Sequence, residues 1–332
     1  LKNVDINLGR ACNNRCVFCS NGSVSARERG WMRVEQVEQE IDARREQGAY
    51  SIGFLGGEPT LYPHLEHCIR LSRERGFKRI AICTNGSRLV DNQRLDRLIE
   101  AGLTRVAFSI HSHIERIEDG ITCRPGSFRE KIEAIGNLVK AMQTGKLPDG
   151  FSLNAVLHKK NLPHLDHFVD FFQKLGVSDI RFNFIRPEHQ AQGNRDWVPS
   201  FKETTPRVLE LIVQSESKQG LHLTFADFPL CRMPWEVMAN PVLRKRYVGE
   251  MRDLVTDVTL FKPEGSGGTK RFNWKQQRIA YLKAKPPICN SCSLNDVCEG
   301  VWKGYLDIYG SDEFTDGPGR VEACFVTAPG PA

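Results

Sequence analysis

Six short apolar runs recur along the first part of this chain, near residues 4–8, 51–55, 79–84, 104–110, 151–157 and 179–185. Amphipathic stretches separate them, near 34–47, 64–75, 91–101, 127–143 and 163–175, and their 3.6-residue apolar period reads as helix. Strands alternating with helices require right-handed crossovers and a parallel sheet. Six such units are too few for the eight-unit closed barrel. The expected fold is therefore α/β, an open partial (β/α)6 barrel of the TIM type. A chain of 332 residues with 40% hydrophobic content is long enough to add a smaller C-terminal domain.

In parallel barrels the chemistry sits at the C-terminal ends of the strands, and two motifs follow predicted strands there. The first is Cys12-Asn13-Asn14-Arg15-Cys16-Val17-Phe18-Cys19, and the second is Gly56-Gly57-Glu58-Pro59-Thr60. Thiolates select zinc or iron–sulfur clusters. A structural zinc site takes four protein ligands, whereas this loop has three cysteines and no fourth Cys or His nearby. A cubane cluster has four irons, so three cysteines leave one iron open to an outside ligand. A three-cysteine zinc loop and an incidental glycine turn are the weaker readings of the two motifs.

The cysteine spacing with Phe18 before the last thiol resembles the signature loop of the radical S-adenosylmethionine (SAM) enzymes, and Gly56-Gly57-Glu58 resembles that family's second mark. The resemblance implies a SAM-binding [4Fe–4S] cluster on Cys12, Cys16 and Cys19, with SAM chelating the open iron. It further implies SAM contacts from Phe18, Gly56, Gly57, Glu58, Asn85, Ser109, Arg124 and Asn154, with Glu58 on the amino group. Asn85 in Thr84-Asn85-Gly86 also reads as a plain turn residue. Arg124 lies two positions beyond the nearest match, Thr122, in what reads as a loop into the next helix, and its fork suits a carboxylate. The fourth strand ends Ser109-Ile110-His111-Ser112, where many relatives have Ser-hydrophobic-Asp-Gly. His111 is then either a proton donor or acceptor, or a histidine that satisfies hydrogen bonds. No catalytic side chain is assigned beyond the SAM-bound cluster. Arg186, Glu188, His189 and Asp227 are candidate substrate contacts, set against ordinary structural roles.

Periodicity breaks near 190–202, which divides the chain into a barrel over 1–190, a connecting helix (203–219) and strand (221–225) over 191–225, and a C-terminal region over 226–332. Cysteines return there at 231, 289, 292, 298 and 324. Cys289-x2-Cys292-x5-Cys298 resembles the auxiliary-cluster (SPASM and twitch) domains of radical SAM enzymes, a zinc knuckle being the alternative. Trp302 stands where two-cluster versions carry another cysteine. One auxiliary [4Fe–4S] cluster is expected, on Cys289, Cys292, Cys298 and either Cys231, the favoured fourth ligand, or Cys324.

The resemblance implies reductive cleavage of SAM to a 5′-deoxyadenosyl radical, which abstracts hydrogen from a substrate carbon. The auxiliary cluster would aid oxidation or bond formation, and an electron donor such as flavodoxin or ferredoxin is implied. With no leader-binding module ahead of the first strand, a small-molecule substrate is expected before a peptide. A non-enzymatic iron–sulfur or zinc protein is the remaining class. Eleven cysteines without an export signal argue for a reducing, cytoplasmic setting. No run is long enough to span a bilayer. The net charge of +6 without a basic–aromatic patch argues against a nucleic-acid partner.

Overall fold

Alternating burial along the strands sorts the chain into an apolar outer layer and a polar interior. The computed structural model describes residues 2–21, 30–260 and 269–314. Seven strands, β1 (Asn3–Asn7), β2 (Ser51–Leu55), β3 (Arg79–Thr84), β4 (Arg105–Ser109), β5 (Phe151–Leu157), β6 (Asp179–Phe184) and β7 (His222–Ala226), form consecutive parallel pairs. Between them run α1 (Val34–Glu46), α2 (Leu65–Glu74), α3 (Asn92–Ala101), α4 (Glu115–Thr122), α5 (Ser127–Gln143), α6 (Leu165–Lys174) and α7 (Phe201–Glu216). Side chains alternate across a strand. Val4, Ile6, Ile52, Phe54, Ile80, Ile82, Val106, Phe108, Ile180 and Phe182 are all buried in the core. The helices cover this layer with stripes at i, i+3, i+4 and i+7, such as Leu65, Cys68, Ile69 and Ser72 on α2, or Leu165, Phe168, Val169 and Phe172 on α6. Each such large side chain contributes about 1.5–3 kcal/mol on burial.

The strands expected from the sequence, including the one at 221–225 that is β7, form within a residue or so, and the sheet then continues past β1. β7 extends one edge, while β8 (Thr256–Leu260) pairs parallel with β1 at the other, Asn3 opposite Thr256. β9 (Lys270–Asn273) then turns back antiparallel, giving the order β7-β6-β5-β4-β3-β2-β1-β8-β9. On the outer face of β8, Thr259 accepts from Arg44 at 2.9 Å and donates to Glu40 at 3.0 Å, both on α1. Those partners lie more than 200 residues away in sequence, so local pattern carried no sign of the pairing.

A second difference lies before α5. Residues read as a loop form α4, which ends at Cys123 in a left-handed conformation (φ 50°). Asp119 then ties the turn to α5 by accepting from the Gly126 and Phe128 amides at 2.7 and 2.8 Å. The helix expected at 203–219 begins earlier, because Ser200 and Glu203 form a reciprocal cap. Beyond β9, the two-residue strands β10 (Lys283–Ala284) and β11 (Val301–Trp302) pair antiparallel. Fully buried Trp302 donates its indole N–H to the Asp227 carbonyl at 3.1 Å, so it locks this region onto the barrel in place of a cysteine. Among the described residues, no helix is long and apolar enough to cross a membrane.

Candidate active site

The first cysteine loop leaves β1 and lies against the ends of β2 and β3. Its backbone is pinned at both ends: Gly57 and Glu58 amides donate to the Gly9 and Ala11 carbonyls, at 2.9 and 2.8 Å. A side chain at Gly57 would overlap the Ala11 carbonyl, so the paired glycines are what allow this close approach. On the other side, Arg15 and Val17 amides donate to the Thr122 and Ile121 carbonyls at the end of α4, at 2.9 and 3.0 Å. Behind α4 lies a buried ion pair, Glu118 with Lys131. Glu118 also accepts from the His111 and Ser112 amides, at 2.8 and 2.9 Å.

Cys12, Cys16 and Cys19 are free thiols on the wall of a cavity of about 920 Å³ at the C-terminal ends of the strands. Burial pushes the Cys16 thiol up to about 12, opposed by Lys131 and reinforced by Cys19 and Cys12. Metal must therefore displace protons to bind here. The Asn14 amide points at the Cys12 sulfur, 3.4 Å away, and the Asn85 side chain lies 3.8 Å from it. Three free thiols with N–H groups directed at sulfur fit a thiolate-held cluster.

Phe18, Gly56, Gly57, Asn85 and Ser109 reach the same cavity. Three other sequence candidates are placed differently. The Glu58 carboxylate is buried and accepts from the Thr60 amide (3.0 Å), the Thr84 hydroxyl (2.6 Å) and the Asn85 amide (2.6 Å), holding the β2 and β3 turns together. Arg124 gives both terminal nitrogens to Glu130 at 2.7 Å and its Nε to Asn14 at 2.8 Å, so its fork is engaged away from the cavity. Asn154 lies opposite Ser109 in the sheet, one inward position before Val156, which does line the cavity.

His111 is buried on the cavity wall. Its Nδ1 accepts from the Val156 amide at 3.1 Å, and its ring meets Phe18 edge-on at 5.0 Å. Burial, then Lys131, holds its pKa well below the usual histidine value, so the ring is neutral. With Nδ1 accepting, Nε2 carries the proton. Arg186, Glu188 and His189 also line the cavity, while Asp227 stands behind Arg186 with its carboxylate 3.2 Å from the guanidinium. Sequence reading missed Lys270, Phe272 and Trp274, which also line the cavity. Their period-2 spacing was the available signal.

A separate, smaller hollow is lined by Cys231, Cys289, Cys292 and Cys298, with Pro229, Lys285 and Asn295. The Leu294 and Gly300 amides each approach a sulfur, Cys292 and Cys298, at 3.4 Å. Burial, ahead of neighbouring charges, pushes the Cys231 thiol up to about 12. Cys324 lies outside the described residues.

Comparison with known proteins bears on this arrangement. The family model of the radical SAM superfamily matches residues 6–172. A GTP 3′,8-cyclase of Aquifex aeolicus is 32% identical over 318 residues, covering 93% of this chain and 91% of that one. The chain belongs to the radical SAM superfamily. It is thus a SAM-dependent iron–sulfur enzyme whose cofactors are SAM and a [4Fe–4S] cluster. A probable GTP 3′,8-cyclase of Sulfurisphaera tokodaii is 30% identical over 187 residues, 56% of this chain, and the match spans 57% of that relative's length. Among solved structures, Streptococcus suis SuiB bound to its precursor peptide SuiA superposes with a TM-score of 0.64 at 15% identity. That superposition covers 92% of this chain and 72% of SuiB, and it supports the partial-barrel radical SAM fold.

Proposed function

We propose that this enzyme cleaves SAM reductively at Cys12, Cys16 and Cys19, and directs the resulting radical at a carbon of a small molecule. The observation that carries the reading is the trio of free thiols on the wall of a cavity of about 920 Å³. Small-ligand sites run to about 300–1,000 Å³, so this volume suits SAM with a second small molecule beside it. Held by Cys12, Cys16 and Cys19, the cluster would supply the one-electron reduction that cleaves SAM to methionine and a 5′-deoxyadenosyl radical. The chain supplies placement: Gly56 and Gly57 bring backbone to the cavity edge, and Glu58 holds the Asn85 turn against the thiols. Neutral His111 presents an N–H donor to the cavity from β4. β8 and β9 wall the open side, keeping water from the reacting carbon.

The four-thiol hollow supports one auxiliary [4Fe–4S] cluster on Cys231, Cys289, Cys292 and Cys298, within a C-terminal region starting near 226. Four cysteines would leave no iron open for a substrate ligand, so the cluster would serve to take up or relay electrons, or to brace the fold. The enzymes named GTP 3′,8-cyclase act on a small molecule, which favours that class here. A peptide substrate is the second reading, supported by the likeness to SuiB bound to a peptide. Anaerobic reconstitution followed by dithionite and SAM tests the proposal. Wild-type protein is expected to release 5′-deoxyadenosine, and the Cys12→Ala variant to release none. Equal release from both sinks it.

A further inference from the structure

One part of the cavity wall carries cations and aromatic rings. Arg186, just past β6, sets its guanidinium 4.9 Å from the Trp274 ring centroid and 5.3 Å from that of Trp302. Trp274 and Phe272 have centroids 6.4 Å apart, and the Lys270 ammonium lies 5.4 Å from the Phe272 ring. Lys270 and Phe272 share one face of β9, because residues two apart point the same way. Arg186, Lys270, Phe272 and Trp274 line the cavity, with apolar Val258 and Leu260 beside them.

These cations are only partly spent on the protein. Arg186 gives only its Nε to Asp227, and its other two nitrogens take no hydrogen-bond partner among the described residues. Asp227 is itself shared, since Arg278 lies 3.8 Å from it. Arg278 and Lys283 also hold Glu299, at 2.7 and 3.0 Å, and Glu250 lies beside Asp227 and Lys283. Lys270 is exposed and has no acidic partner among the described residues. The acid nearest Arg186 along the chain, Glu188, also lines the cavity, its pKa raised by burial against the opposing pull of Arg186.

We propose, resting on the small-molecule reading above, that this wall selects a nucleotide: its ring lies on Phe272, and its phosphate is drawn by the cations that flank the aromatic rings, Arg186 and Lys270. A guanidinium fork plus an ammonium matches a dianion better than a single carboxylate. The flat apolar surface between them accepts a planar ring.

The test uses reconstituted holoenzyme saturated with SAM, so that the adenosine site is filled. Binding of guanosine 5′-monophosphate and of guanosine is measured by equilibrium dialysis. The monophosphate is expected to bind about tenfold tighter or more, because the two cations engage only its phosphate. Lys270→Gln sits on an exposed position and leaves folding intact. It is expected to weaken the monophosphate about tenfold and leave guanosine unchanged. Phe272→Ala is expected to weaken both ligands together, and Arg186→Gln to act as Lys270→Gln does. Equal affinity for the two ligands, no binding of either, or a monophosphate affinity indifferent to Lys270→Gln overturns the inference. Release of 5′-deoxyadenosine by the same wild-type preparation is scored separately. Cleavage without nucleotide binding removes this inference alone, and binding without cleavage removes the enzymatic reading.

Discussion

Replacing Lys131 by methionine removes the cation beside Glu118, beneath the cluster loop. Lys131 is 1% exposed and Glu118 is fully buried, so water cannot take the lost cation's place. Glu118 keeps its two amide donors from His111 and Ser112, but its charge is left uncompensated. Breaking a buried pair by removing one partner costs about 3–5 kcal/mol. Against a typical stability of about 5–15 kcal/mol, that loss is large. Lys131→Met/Glu118→Gln removes both charges and is expected to restore at least half of it. Urea denaturation of the apoprotein near neutral pH, followed by circular dichroism, measures both variants. The same change has a functional readout, since α4 holds the loop through the Ile121 and Thr122 carbonyls. Iron retention by the first cluster is expected to fall in Lys131→Met and recover in the double variant. A single-variant loss below about 1 kcal/mol, or a double variant no better than the single, refutes the reasoning.

Arg124→Ala is expected to cost about 1 kcal/mol, as for a half-exposed ion pair, and to change SAM affinity less than about threefold. A tenfold loss, read from the SAM-induced change in the cluster's electron paramagnetic resonance spectrum, would show that the guanidinium reaches SAM after all. Burial, opposed by Asn3, raises the Asp5 carboxyl from 3.8 to about 6. A folded pKa above the unfolded one contributes stability at low pH that is lost as pH rises through about 6. Asp5→Asn is therefore expected to stabilise the apoprotein by up to about 3 kcal/mol above neutrality, with no gain below the ordinary carboxylate range; a pH-independent effect in denaturation contradicts this. Cys231→Ser is expected to lower bound iron by about four per chain, while Cys324→Ser leaves it unchanged. The reverse pattern reassigns the fourth auxiliary ligand.

The barrel was legible because each strand alternates and each helix keeps its own stripe, so local pattern and tertiary burial agree. The cysteine loop was legible because three thiols fall within eight residues, and Gly56-Gly57 because the close approach to the Gly9 and Ala11 carbonyls demands glycine. β8 was not, since its partner strand and the α1 side chains that hold it lie at the far end of the chain. Arg124 shows a different limit. Its fork was expected on the SAM carboxylate, and in the structure it lies on Glu130, six residues on and one turn into α5. Asp227 likewise proved to be a buried counter-ion rather than a wall residue, because the tryptophan that orders it, Trp302, comes 75 residues later.

The account rests on one iron corner that no side chain of the first loop fills. Adding SAM to the reduced, reconstituted protein and recording its electron paramagnetic resonance spectrum probes that corner directly. A shifted signal, followed by 5′-deoxyadenosine on turnover, is the predicted result. An unchanged signal at full iron loading would contradict the account.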